Sequence, residues 1–270
     1  MPRCKEVLRV DMFNSIEDLM ENCTSKFQML IKFGNEKNLK SLQSGTIYMK
    51  NLKFYNELEQ KDDSGKPDKY DGKWKIQDMS LTFTDRSGKM PPFHCYTESA
   101  VVSFSIDQYP IFCLFSLDKR NCMPFVADRE SQTGIVAVEF SDEQKSKMSK
   151  GLGDYALLIT NTSEFISRIT NRLNEDGVSY RFGLVDYNIG NSKERAEAIF
   201  HDPINIAFNK DEREFAYQQE YRLIITNHPV EDHYIFNVGD LSDLSMLMRT
   251  DDLLTNYAIN IKQHYYPIPN

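Results

Sequence analysis

The stretch IKFGNEKNLKSLQSGTIYM, residues 31–49, sets the expectation for the fold. It begins inside FQMLIKF (27–33), an apolar run of strand length. Asn35-Glu36-Lys37-Asn38 then open an amphipathic helix with Leu39 and Leu42 on one face, and Gly45 stands at the C′ position where such a helix ends. TIYMKNLKF (46–54) is rich in β-formers and predicts a second strand. The opening order is therefore strand, short helix, strand.

Upstream, residues 1–26 form an N-terminal extension, with an amphipathic helix expected from Ser15 to Glu21. Downstream, NELEQKDDSGKPDKYDGKWK (56–75) clusters Asp, Gly, Pro and Lys and reads as a long exposed loop. The middle of the chain is β in character. SLTFT (80–84), SAVVSFSI (99–106), PIFCLFSL (110–117) and TGIVAVEF (133–140) are short runs of Val, Ile, Phe and Thr between turn residues. TSEFISRITNRLNEDG places Phe165, Ile166, Ile169 and Leu173 on one helix face, with Gly177 past its end. SYRFGLVDY (179–187) predicts a strand and SKERAEAIF (192–200) a helix; EFAYQQEYRLIITN (214–227) holds the strongest late strand, with HYIFNVG (233–239) as its partner. The expected class is α+β: one domain over 1–270 with a mostly antiparallel, split β-sheet core and a few flanking helices.

The chain has 270 residues, 40% of them hydrophobic and 27% charged, so it can bury a core and is neither disordered nor fibrous. A formal net charge of -8 argues against coating duplex nucleic acid with a basic face. Cys4, Cys23, Cys95, Cys113 and Cys122 are odd in number and contain no Cys-x-x-Cys, which points away from a disulfide framework or a structural zinc. The charged start of the chain and the lack of ~20 consecutive apolar residues lead us to expect a cytoplasmic protein with no membrane partner.

No glycine-rich nucleotide fingerprint, His-Glu-x-x-His or Gly-x-Ser-x-Gly occurs. His94-Cys95 reads as a packed thiol beside a loop histidine. Asp62, Asp63, Asp68 and Asp71 follow no EF-hand register and alternate with lysines, so they read as a solvated loop, and no metal is expected. The remaining chemistry lies on strands. Ser103 and Ser105 alternate in VVSFSI, and Gln218 and Glu220 alternate in AYQQEYRL, which would put an amide and a carboxylate on one face. Beside Arg222 that carboxylate belongs either to an edge-strand ion pair or to a pocket. The basic, aromatic run Lys50 to Tyr55 reads as an amphipathic strand or as a contact for a single-stranded nucleic acid.

The opening strand-helix-strand, the Ser103-Phe104-Ser105 strand, the Gly134-initiated strand and the Glu220-Tyr221-Arg222 strand, in this order, resemble the ADP-ribosyltransferase superfamily, and most closely a bacterial family of toxin or phage-defence type. The resemblance implies NAD as substrate, with Glu220 stabilising the ribose cation and Gln218 orienting the acceptor. It places Ser103 and Ser105 near the ribose, Tyr48 against nicotinamide, and Lys32 where such enzymes carry Arg or His. Lysine meets a phosphate as a point charge without the bidentate fork of arginine. The acceptor would be RNA, DNA or protein, and an antitoxin or regulatory partner is implied. A non-catalytic sensor with a degenerate pocket and a metal-dependent nuclease are the alternatives.

Overall fold

In the computed structural model the described residues are 29–59, 71–103, 105–128, 133–187, 193–210 and 215–262. In chain order they form β1 (Met29–Gly34), α1 (Glu36–Gln43), β2 (Thr46–Asn51), α2 (Leu52–Glu59), β3 (Lys73–Phe83), β4 (Phe93–Ser103) and β5 (Pro110–Leu117). Next come β6 (Cys122–Asp128), β7 (Thr133–Val138), α3 (Asp142–Gly151), β8 (Tyr155–Ile159), α4 (Thr162–Glu175), β9 (Tyr180–Leu184) and α5 (Lys193–His201). Short 3-10 turns at Pro203–Phe208 and Ala216–Gln218 precede β10 (Glu220–Ile225), β11 (His233–Asn237), β12 (Ser245–Arg249), α6 (Thr250–Asn256) and β13 (Ala258–Lys262). The class is α+β with mostly antiparallel strands, as the patterning predicts.

The chain divides into two compact units, one drawn from 1–43, 116–165 and 241–270 and the other from 44–115 and 166–240. Each is assembled from separated stretches, which is why no Pro/Ser linker marks a boundary.

In the first unit β8 pairs antiparallel with β1 on one side (Leu30↔Ile159, Lys32↔Leu157) and with β12 on the other (Leu247↔Leu157). Leu30, Ile31, Leu157, Leu158 and Ile159 are fully buried, and α1 contributes Leu39 and Leu42 to the core. A second antiparallel sheet orders its strands β13-β7-β6. Helix α3 starts with a reciprocal capping box between Ser141 and Gln144.

In the second unit the strand neighbours run β11, β2, β5, β10, β9, all antiparallel. One core cluster joins Leu52, Ile106, Ile111, Ile199, Ile206, Ala207 and Ile224. The long strands β3 and β4 form a separate two-stranded ribbon. Gly45 takes φ +98°, and a Cβ there would come 2.1 Å from the Gly239 carbonyl oxygen, so the residue predicted at C′ is required by close approach as well as by conformation.

Several boundaries differ from the reading of the sequence. The strand expected over 46–54 stops at Asn51, whose buried side chain accepts from the Phe54 N–H (2.9 Å) and so caps α2. The predicted exposed loop is shorter than 56–75: residues to Glu59 are helical, Asp71 and Gly72 are buried, and β3 begins at Lys73. β11 pairs with β2, whereas the expected partner β10 lies between β5 and β9. The helix expected at Ser15 to Glu21, together with Asp62, Asp63 and Asp68, falls outside the described residues.

Candidate functional site: a buried four-charge cluster

The first half of AYQQEYRL does not continue the strand. Ala216–Gln218 is a 3-10 turn, and Gln219 sits in the left-handed region at φ 40°, ψ 50°. Such a conformation costs a residue with a Cβ about 1–2 kcal/mol. The turn breaks the two-residue alternation, so Gln218 and Glu220 do not share a strand face by parity. They meet instead through a third residue. Lys210 Nζ donates to Gln218 Oε1 at 3.0 Å and pairs with Glu220 Oε1 at 2.8 Å.

Glu220 opens β10, and Arg222 follows two residues later on the same side, with its Nε 2.7 Å from Glu220 Oε2. The guanidinium is then held by Asp71, with NH1 to Oδ1 and NH2 to Oδ2 both at 2.9 Å, a bidentate geometry. NH1 also donates to the Ala207 carbonyl at 2.5 Å. Lys210 lies 3.6 Å from Asp71 and 5.0 Å over the Phe215 ring. Two cations and two carboxylates thus neutralise each other inside the second unit. Their side chains are 1% (Asp71), 1% (Arg222), 3% (Lys210) and 10% (Glu220) exposed, so Glu220 is the member that retains an edge toward solvent.

Burial alone would raise the Glu220 carboxyl, but the charges and hydrogen bonds of Arg222 and Lys210 outweigh it and hold the group well below the usual carboxylate range. Burial likewise opposes the charge on Arg222, and Asp71 and Glu220 drive its protonation the other way, well above its ordinary value. The backbone N–H of Glu220 donates to the Tyr187 hydroxyl oxygen at 2.8 Å. Burial and the neighbouring Glu220 charge push the Tyr187 phenol up, and burial, with Cys113 and Glu220 nearby, does the same to Tyr55. Near neutral pH the site is therefore a fixed electrostatic array: a permanently ionised carboxylate and neutral phenols. It can orient and stabilise charge, and it is unsuited to shuttling protons.

The other expected residues lie on other elements. Ser103 ends β4, opposite Lys73 in the ribbon, so it belongs to a different sheet from Glu220. Ser105 is exposed in a bend beyond the strand, which ends the proposed Ser103/Ser105 alternation. Lys32 lies on β1 in the first unit. Tyr48 is 44% exposed on β2, with its ring stacked on His233 at 5.1 Å. Lys50 extends from the same strand to Asp232 and lies 4.9 Å over the Phe54 ring, so the basic, aromatic run divides between the end of a strand and the start of α2.

The sequence names Lys210 only as a surface partner of Glu220 and Asp71 only as part of a solvated loop, whereas both are buried, and it gives no sign of Tyr187. Asp71 sits at the far end of a polar tract, and Lys210 follows a 3-10 turn, so neither has a periodic context. Arg222 carried a signal: it is a charge inside EYRLII, and a charged residue in a buried strand requires a partner. Among the described residues no group of three or more His, Cys, Asp or Glu could hold a metal. Comparison of the chain with protein-family models, with curated proteins and with solved structures finds no match.

Proposed function

We propose that the chain is an NAD-consuming ADP-ribosyltransferase in which Glu220 stabilises the ribose cation, serving as a toxin or defence effector that modifies a macromolecule. The observation that carries the reading is the state of Glu220: ionised, fixed by two cations, and the most exposed member of the cluster. Cleavage of the nicotinamide–ribose bond leaves the electron pair on nicotinamide and positive charge at the ribose. A preorganised carboxylate is the group that such a centre needs, and no proton transfer is asked of it. Gln218, tied to the same Lys210, would orient the acceptor. Tyr48 would offer nicotinamide only the ring face that His233 leaves open.

A metal-dependent nuclease is the second reading, because Asp71 of the acidic tract does join Glu220. The Lys210 ammonium, 2.8 Å from one carboxylate and 3.6 Å from the other, occupies the position that a divalent ion would need.

Incubation of the full chain with NAD, with and without a chelator, tests both readings. Nicotinamide release that persists in the chelator and falls by two orders of magnitude or more in Glu220→Gln is expected, since such electrostatic contacts are worth on the order of 3 kcal/mol. Release at the wild-type rate by Glu220→Gln removes Glu220 from the chemistry. Nucleic-acid cleavage that the chelator stops would replace this reading with the nuclease.

A further inference from the structure

The β3–β4 ribbon ends in TFTDRSGKMPPFH, residues 82–94 with Phe83 within it, where every residue is exposed except the half-buried Asp85. We propose that this tip is a docking surface for an anionic lipid bilayer, a role independent of the chemistry at Glu220.

The apolar part of the tip is exposed. Phe83 and Phe93 are cross-strand partners with ring centroids 6.1 Å apart; they are 57% and 64% exposed, and Met90 in the connecting turn is 70% exposed. The charge is sorted as well. The Asp85 carboxylate turns inward and accepts from the backbone N–H groups of Ser87 (2.9 Å), Lys89 (3.0 Å) and Met90 (3.2 Å), which fixes the turn. The exposed charges are Arg86 and Lys89. Against Asp85 they give the tip a formal charge of one positive unit in a chain whose net charge is -8. At about 3.3 Å per residue, the exposed acidic residues of the strands, Asp78 and Glu98, stand five residues from the Phe83–Phe93 pair, about 16 Å along the ribbon and about twice the Debye length of about 8 Å, so they are largely screened from the tip. Apolar side chains interleaved with basic ones match the boundary between acyl chains and anionic headgroups.

Two other occupants fit less well. The exposed parts of Phe83, Phe93 and Met90 amount to roughly 300–400 Å². Two tips facing each other would bury roughly 700 Å² of this apolar surface but would set Arg86 and Lys89 of one copy against those of the other, so a second copy fits less well. The two rings tilt at 38° against each other instead of standing apart as separate platforms on which successive bases of a single strand could stack. No described helix is long and apolar enough to cross a membrane, and the contact proposed is peripheral.

Flotation of the full chain with phosphatidylglycerol/phosphatidylcholine vesicles tests the proposal, with pure phosphatidylcholine vesicles and a labelled single-stranded oligonucleotide as the other arms. The wild type is expected to float with the anionic vesicles and to be released by salt. Arg86→Glu with Lys89→Glu should weaken binding by tenfold or more, at about fivefold per basic residue lost. Phe83→Ser with Phe93→Ser should abolish flotation while lowering the melting temperature by only a few degrees, because both rings are more than half exposed. Failure to float with anionic vesicles, or flotation that both double variants retain, overturns the proposal. Binding of the oligonucleotide in place of vesicles, or a dimer that the Phe variants dissolve, overturns it in favour of the other occupants.

Discussion

The Asp71–Arg222 pair gives the most demanding test of the cluster. Asp71→Asn keeps the side-chain shape but removes the charge that faces a guanidinium only 1% exposed, and it turns an NH₂ group toward donors that had two carboxylate oxygens at 2.9 Å. Arg222 cannot recover its hydration shell at that depth. Breaking one partner of a buried pair costs about 3–5 kcal/mol. Asn retains one acceptor oxygen, and Arg222 keeps Glu220 and the Ala207 carbonyl, which places the expected loss at the low end, about 3 kcal/mol. For a chain of this size, about 2–4 °C per kcal/mol predicts a melting temperature lower by about 6–12 °C. Urea unfolding followed by circular dichroism checks the free energy, with an unchanged slope showing that the native state is otherwise intact. A loss under about 1 kcal/mol is what an exposed pair would give, and it would refute the argument. The cycle of Asp71→Leu, Arg222→Met and their double variant separates charge from packing. Each single change leaves a buried charge without its main partner, so the double variant should cost less than the sum of the singles by at least about 2 kcal/mol.

Acid should act through Glu220. Its carboxyl is depressed from an ordinary value of 4.5, so the folded state gains stability from it above about pH 4.5 and loses that stability as pH falls below that value. Glu220→Gln should therefore flatten the acid limb of a stability–pH curve, and an unchanged limb would show that other carboxylates control it. At the α1–β2 turn, Gly45→Ala should cost about 2 kcal/mol or more, because the methyl group meets the Gly239 carbonyl as well as an unfavourable φ. Gly239→Ala, also at positive φ but with nothing within 4 Å of the added Cβ, should cost about 1 kcal/mol, and equal losses by urea titration would dismiss the contact.

The legible parts of this chain were those with periodicity or punctuation. Leu39, Leu42 and Gly45 mark α1 through face spacing and a positive-φ stop, and PIFCLFSL (110–117) coincides with β5 because a wholly buried strand reads as a continuous apolar run. Phe165, Ile169 and Leu173 mark α4 in the same way, and all three are fully buried. The strand partners were not legible, since β10 could equally have paired with any late β-rich run, and its real neighbours β5 and β9 are chosen by packing. For the site, Glu220 and Gln218 stood out as polar residues in an apolar context, but the inference from alternation failed because Gln219 turns left-handed, a conformation that no residue type in AYQQEYRL announces. Asp71 was invisible for a different reason. Charges in a polar tract look solvated until a distant arginine is known to need them.

That distance bears on how the protein is made. Asp71 and Arg222 are 151 residues apart in the chain, so during synthesis Asp71 leaves the ribosome long before the guanidinium that neutralises it. Until then the carboxylate must stay hydrated, and the segment that carries it cannot bury. The second unit is complete once residue 240 has emerged, while the first, which supplies the opening strand, waits for 241–270. β12 closes the open edge of β8, and β13 that of β7, only after residues 245–262 have emerged. Strand β1 thus waits for residues made roughly 200 positions later, and for that interval two strand edges are available for mispairing or for a chaperone to cover.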